Sequence, residues 1–108
     1  MSKQNSFFTK NELSELGIGA IGNNVLISKK ASLYGCSEMK IGSNVRIDDF
    51  CILSGRLEIG SYVHIAAYSA LYGGSDGIFL ADYTNISSRV SIYSISDDYS
   101  GFSMTNPM

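Results

Sequence analysis

Residues 41–53, IGSNVRIDDFCIL, are followed after five intervening residues by a near-copy of their own pattern in residues 59–71, IGSYVHIAAYSAL. Laid one over the other, the two stretches carry an aliphatic residue at every sixth position: Ile41, Ile47 and Leu53, then Ile59, Ile65 and Leu71. The same rhythm extends outward in both directions, to Ile21, Ile27 and Leu33 on one side and to Leu80, Ile86 and Ile92 on the other. A fixed short period changes the meaning of every aliphatic and every glycine in the chain, so it is read before any single element. Four units of three hexads result. From Ile21 to Ile41 is 20 residues, from Ile41 to Ile59 is 18 and from Ile59 to Leu80 is 21, so the unit is 18 residues with small insertions.

Two residues before each aliphatic position stands a small or aliphatic residue, as in Met39-Lys40-Ile41, Val45-Arg46-Ile47, Leu57-Glu58-Ile59 and Val63-His64-Ile65. In an extended chain, alternate side chains point to opposite faces, so the outer two residues of each triplet face inward and the polar middle one faces out. Such short strands need frequent turns. Gly22, Gly42 and Gly60 follow the aliphatic residue, and Asn23, Asn24, Ser43, Asn44 and Ser61 come next, where residues tolerant of unusual dihedrals or able to bond their own backbone are favoured. Three strands and three turns per unit describe a triangular coil. The insertions fall at one corner, after Leu33 (Gly35 to Glu38), after Leu71 (Gly73 to Gly77) and after Ile92, where Asp97 to Phe102 breaks the rhythm. The glycine-rich Gly73 to Gly77 reads as a corner loop. An antiparallel sandwich does not hold a six-residue register over this length, and helical periodicity is absent from Ile18 to Ile95. Upstream, Thr9 and Glu12 form a capping box ahead of Leu13 and Leu16, and Gly17 is placed to stop the helix. With Phe7 and Phe8, this helix is expected to cap the first coil.

The reading is therefore an all-β protein, a parallel β-helix of about four triangular coils with a short N-terminal helical cap. Residues 1–18 are the N-terminal segment, 19–96 the β-helix and 97–108 a C-terminal loop or tail. Composition agrees: 108 residues, 44% of them hydrophobic and 17% charged, suit one folded domain and argue against disorder. A net charge of −2 without a Lys/Arg run lacks the electrostatic footprint of a nucleic-acid or acidic-membrane binder. There is no apolar stretch of membrane-spanning length and no signal-peptide pattern, so a cytoplasmic protein is expected. Cys36 and Cys51 have neither zinc-ligand nor redox-pair spacing and are expected to be neutral thiols; no metal is expected.

The hexads IGNNVL-ISKKAS, IGSNVR-IDDFCI and IGSYVH-IAAYSA resemble those of the hexapeptide-repeat acyltransferases, over about Phe7 to Pro107. The resemblance implies a left-handed β-helix. By flavour it is similar to the sugar O-acetyltransferases, including galactoside, maltose and surface-polysaccharide acetyltransferases, which use acetyl-CoA and form trimers with active sites between subunits. The expected function is thus acetyl transfer from acetyl-CoA to a hydroxyl of a sugar or polysaccharide acceptor, by a homo-oligomer, a trimer foremost. Such chemistry needs a base for the acceptor proton and donors for the oxyanion on the thioester carbonyl. In that family the base is a histidine, and hexad register places its position at Asp97, so the family's histidine is absent. Relatives also continue with several more coils that hold the pantetheine arm, which makes a truncated, inactive form an expectation. The alternative reading is a non-catalytic short β-helix serving as an oligomerising or ligand-binding scaffold.

Stacking of coils sorts the outward residues into three columns. One carries Leu26, Arg46, His64 and Asn85; a second Ser32, Ile52, Ala70 and Ser91; the third Ala20, Lys40, Glu58 and Phe79. His64 is the chain's single imidazole and, with Asp97, a candidate catalytic base. Arg46, Asp48, Asp49 and Asn85 are candidate substrate-binding residues, although the turn position of Asp48 and Asp49 also suits service to the backbone. The small side chains of the second column suit contact between subunits. Tyr68, Tyr72, Tyr83, Tyr93 and Tyr99 are expected to cover the corners of the prism rather than to stack on a sugar.

Overall fold

The structure, a computed structural model, describes residues 6–94. Asp97, Tyr99 and the segment 97–108 lie outside the described residues. The twelve strands are two or three residues long and form three parallel sheets of four. The first sheet holds β1 (Ala20–Ile21), β4 (Met39–Ile41), β7 (Leu57–Ile59) and β10 (Ile78–Leu80). The second holds β2 (Leu26–Ile27), β5 (Arg46–Ile47), β8 (His64–Ile65) and β11 (Asn85–Ile86). The third holds β3 (Ser32–Tyr34), β6 (Ile52–Ser54), β9 (Ala70–Tyr72) and β12 (Ser91–Tyr93). Each strand pairs with the one three places on in sequence, the topology of a parallel β-helix of four coils. Register is the one the hexads demand: Leu26, Arg46, His64 and Asn85 are successive partners, as are Ser32, Ile52, Ala70 and Ser91, and likewise Ala20, Lys40, Glu58 and Phe79.

Inside, the aliphatic columns make the core: Met39, Ile47, Leu53, Leu57, Ile65 and Leu71 of the two central coils are inaccessible to water, as is Ile27 of the first. End coils have a neighbour on one side only, so Ile21 and Leu33 at one end and Leu80, Val90 and Ile92 at the other are only partly covered. The first coil is closed by α1 (Lys10–Glu15), whose capping box forms as the sequence requires, Glu12 N–H donating to Thr9 Oγ1 at 3.1 Å and Thr9 N–H to Glu12 Oε1 at 2.8 Å. Gly17 ends the helix at φ +76°, and Leu13 joins the core with Phe8 and Leu16 packed beside it. The chain before α1 forms an antiparallel strap along the first coil: Phe7 bridges Ser28, Phe8 N–H donates to the Ile27 carbonyl at 2.9 Å, and Lys29 N–H donates to that of Ser6 at 2.8 Å.

At the first corner positive φ falls at Asn24, Asn44, Tyr62 and Tyr83, so the two asparagines take the unusual dihedrals that the sequence suggests for that turn, and Gly22, Gly42 and Gly60 do not. Glycine is needed for closeness instead, since a Cβ on Gly42 would lie 2.7 Å from Ser61 Oγ and 2.8 Å from the Gly60 carbonyl carbon of the next coil. The second corner repeats the left-handed position at Phe50, Tyr68 and Arg89. Left-handed backbone disfavours bulky residues by roughly 1–2 kcal/mol each, and here the side chains stack from coil to coil. Phe50 and Tyr68 rings lie 5.1 Å apart with Lys30 and Arg89 over their outer faces, and Tyr62 and Tyr83 lie 5.0 Å apart. Tyr72 and Tyr93 pair likewise at 4.8 Å, so these tyrosines cover the prism as the sequence suggests.

The insertions do sit at one corner: a 3-10 turn at Cys36–Glu38 after β3, and the loop closed by Gly77 N–H to the Gly73 carbonyl after β9. Both cysteines are free, and burial pushes each thiol up from its ordinary value. Among the described residues no helix is long and apolar enough to cross a membrane, and no group of three or more His, Cys, Asp and Glu side chains is placed to hold a metal ion.

Candidate functional site

The second sheet carries three of the candidate residues, Arg46, His64 and Asn85. Arg46 on β5 and His64 on β8 are direct neighbours in the parallel ladder, projecting outward because Ile47 and Ile65 beside them project inward. Between them stands Asp48. Alternation places residue 46 out, 47 in and 48 out, so the first corner residue still shares the face of the strand before it. Its Oδ1 accepts from Arg46 Nε at 2.8 Å, and its Oδ2 lies 2.8 Å from His64 Nε2. Asp48 thus serves two side chains and not the backbone, which corrects the turn reading of that residue. Its side chain is 21% exposed, against 56% for Arg46 and 44% for His64, so the anion is the least hydrated member of the trio.

The titration of Asp48 reflects that placement. Partial burial pushes its carboxyl up, but the hydrogen bonds from His64 and Arg46 and their charges outweigh burial and hold it below the usual carboxylate range. A lowered folded value means that the stabilisation is fully present above the unfolded value of about 4 and is lost as the pH falls through the folded one. The urea midpoint of the protein is expected to drop on acidification below about pH 4, and Asp48→Asn to flatten part of that drop. An acid limb identical in the two proteins would show that the trio contributes nothing to it.

The other candidates divide. Asp49 turns away from the imidazole and accepts from the buried Ser28 hydroxyl at 2.5 Å, tying its corner to the coil below. Asn85 occupies the register position next to His64 but makes no side-chain hydrogen bond to a described residue. Phe7, assigned from the sequence to the cap with Phe8, lies instead on the outer face, its ring 5.5 Å from the Arg46 guanidinium carbon. The alternation of the strap explains this, since a residue beside one that points to the core must point away from it.

Along the same face runs a groove of about 390 Å³ lined by Asn24, Leu26, Asn44, Val45 and Arg46. Under the cap helix is a hollow of about 450 Å³ that shares Asn24 and Leu26 with the groove. A larger depression of about 490 Å³ lies on the first sheet around Lys40, Glu58 and Phe79, with no imidazole in its lining. Neither His64 nor Asp48 lines any of the three; Arg46, which donates to Asp48, is in the wall of the smallest.

No family model matches the chain. It is 52% identical over 100 residues to the dTDP-4-amino-4,6-dideoxy-D-glucose acyltransferase of Escherichia coli, a match spanning 90% of this chain and 52% of the relative. It also superposes on AntD, an N-acyltransferase from Bacillus cereus solved with dTDP and 3-hydroxybutyryl-CoA, at TM-score 0.84 and 57% identity over 96% of this chain and 55% of that one. The chain belongs to the hexapeptide-repeat β-helix family. A serine-to-cysteine mutant of AntD, solved with dTDP-4-amino-4,6-dideoxyglucose and coenzyme A, gives TM-score 0.85 at 55% identity over 97% of this chain and 56% of that one. AntD has also been solved with a single aspartate replaced by alanine or by asparagine. This hexapeptide-repeat chain spans about half the length of the relatives it matches.

Proposed function

We propose that the protein takes part in acyl transfer from an acyl-coenzyme A to the amino group of a dTDP-linked amino sugar. The observation that carries this reading is identity above one half, maintained over nine-tenths or more of the chain, to N-acyltransferases whose complexes hold dTDP, the amino sugar nucleotide and CoA. The sequence reading had an oxygen acceptor and an acetyl donor; the relatives support a nitrogen acceptor and leave the length of the acyl group open. In the reaction the neutral amine attacks the thioester carbonyl carbon, and the C–S bond breaks as the amide C–N bond forms. Coenzyme A leaves as the thiol after taking up a proton, and the amine nitrogen gives up one proton to a base.

Within the described coils His64 is the group suited to that last step. Its Nε2 faces the Asp48 carboxylate, and Nδ1 makes no hydrogen bond to a described residue. Asp48 orients the ring and stabilises the imidazolium that forms, as carboxylates do beside catalytic histidines. A second base is favoured by one observation: the AntD complexes solved with an aspartate replaced direct attention to a carboxylate, and Asp97 is the candidate that hexad register supplies. The small side chains of Ser32, Ala70 and Ser91, with the apolar Ile52 among them, support contact between copies across the third sheet, with a trimer as the proposed assembly.

The test is direct. The purified protein is incubated with 3-hydroxybutyryl-CoA or acetyl-CoA and dTDP-4-amino-4,6-dideoxyglucose, and the amide product is followed by mass spectrometry together with free thiol. Stoichiometric amide and thiol are the expected result. Absence of product together with absence of saturable binding of either ligand at millimolar concentration would overturn the reading for this chain.

A further inference from the structure

The carboxylate of Asp48 is anchored twice, and the anchors are of unequal strength when taken alone. Arg46 and Asp48 are two residues apart on the outer face of the second sheet, and an ion pair with so exposed an arginine contributes about 0–1 kcal/mol because its long side chain must be held still. Here the guanidinium is held from its other side. The Phe7 ring lies over it, and the strap carrying Phe7 is fixed on both flanks by backbone hydrogen bonds, Phe8 to Ile27 and Lys29 to Ser6. The adjoining Asp49 is tied down separately by Ser28. We propose that Arg46, steadied by Phe7, is a positioning residue for His64: it occupies one oxygen of Asp48, so the other receives the Nε2 proton of His64 and the Nδ1 lone pair is left facing outward as the proton acceptor. The chain of contacts is therefore strap, arginine, carboxylate, imidazole. It rests on the reading of His64 as a base, but its geometry is tested apart from turnover.

Among the described residues, the groups around the imidazole are few. Arg46 comes from β5, Asp48 from the corner after β5, and the uncharged Asn85 from β11. Asp48 is the anion within hydrogen-bond reach, and Arg46 compensates its charge. Without Arg46 the carboxylate is free to rotate, and its second oxygen no longer fixes which ring nitrogen carries the proton.

Because the chain has one histidine, the imidazole nitrogens can be read by proton–nitrogen NMR without assignment. In the unaltered protein the neutral ring is expected to carry its proton on Nε2, with a signal protected from exchange with water, while Nδ1 is bare. Phe7→Leu, which keeps an apolar side chain without a ring face, and Arg46→Gln are each expected to speed that exchange by at least about tenfold, the equivalent of 1.4 kcal/mol. Phe7→Tyr should restore the protected signal. A proton on Nδ1 in the unaltered protein, or a protected Nε2 proton in both variants, would overturn the proposal. Should Phe7→Leu release the strap altogether, seen as loss of the Phe8 and Lys29 amide protection, Arg46→Gln alone decides, since it leaves the strap's backbone bonds in place. If the spectra behave as expected while His64→Gln retains full turnover, the positioning stands and the assignment of His64 as base falls.

Discussion

Replacing His64 by glutamine is expected to lower kcat for acyl transfer by about 10²-fold or more, the contribution usual for a positioned general base. A loss of that size is about 2.7 kcal/mol of transition-state stabilisation. Glutamine is the informative choice because its amide can still donate to Asp48, so the carboxylate is not left without a partner and a fall in rate cannot be ascribed to a broken cluster. Stability should change little, as the side chain is nearly half exposed on the outer face of β8 and the core residue beside it, Ile65, is untouched. The KM for the acyl donor should stay within about threefold, since a group that acts only on the acceptor's proton contributes to the transition state and not to donor binding. The same substitution with turnover retained within about threefold, paired with an Asp97→Asn variant that loses two orders of magnitude or more, would move the base to Asp97. Both variants losing activity would mean that the two act together, Asp97 from beyond the described coils and His64 from within them.

Why some of this was legible in the sequence and some was not follows from two different periods. The six-residue period fixes the coil, and with it the three outward columns, because each aliphatic residue has one inward place to go; every column appears in the ladder with the partners expected. The period of two governs the site, and it does not stop at the strand ends. Carried one step past Ile47 it places Asp48 on the face of Arg46, and applied to the strap it separates Phe7 from Phe8. Both residues were legible in that sense, but a turn residue and a residue before a helix are not ordinarily expected to alternate. The hydrogen bond between Asp48 and His64 was out of reach for another reason. The residues are 16 apart in sequence, and their meeting depends on where a corner places a side chain, which spacing does not fix. The glycines show the converse. Their positions follow from the repeat but the need for glycine does not, because the contact that excludes a Cβ at Gly42 belongs to the next coil.

Leu53→Ala is expected to cost about 2–5 kcal/mol, the range for a leucine removed from a fully packed site. Leu53 is inaccessible to water and has neighbours above and below in the third sheet, Leu71 on β9 and Leu33 on β3, so neither coil can close over the cavity without leaving its own register. Leu33→Ala, in the same column but in an end coil, should cost less because that side chain is already partly hydrated. The comparison tests the architecture itself, since urea unfolding of a compact globular core would penalise the two positions by their burial alone. In a stacked chain, stability is a sum over coils and the interfaces between them, and a central defect weakens two interfaces at once. His64 and Arg46 sit on strands of the two coils that Leu71 and Leu53 pack, so a central defect should also loosen the meeting of imidazole and carboxylate. For Leu53→Ala, faster exchange of the His64 Nε2 proton is therefore expected along with the lower urea midpoint, whereas Leu33→Ala should lower the midpoint and leave that proton protected. Equal effects of the two substitutions on both measurements would mean that the coils unfold as one unit, and that the site draws its order from the whole prism and not from the pair of coils that carries it.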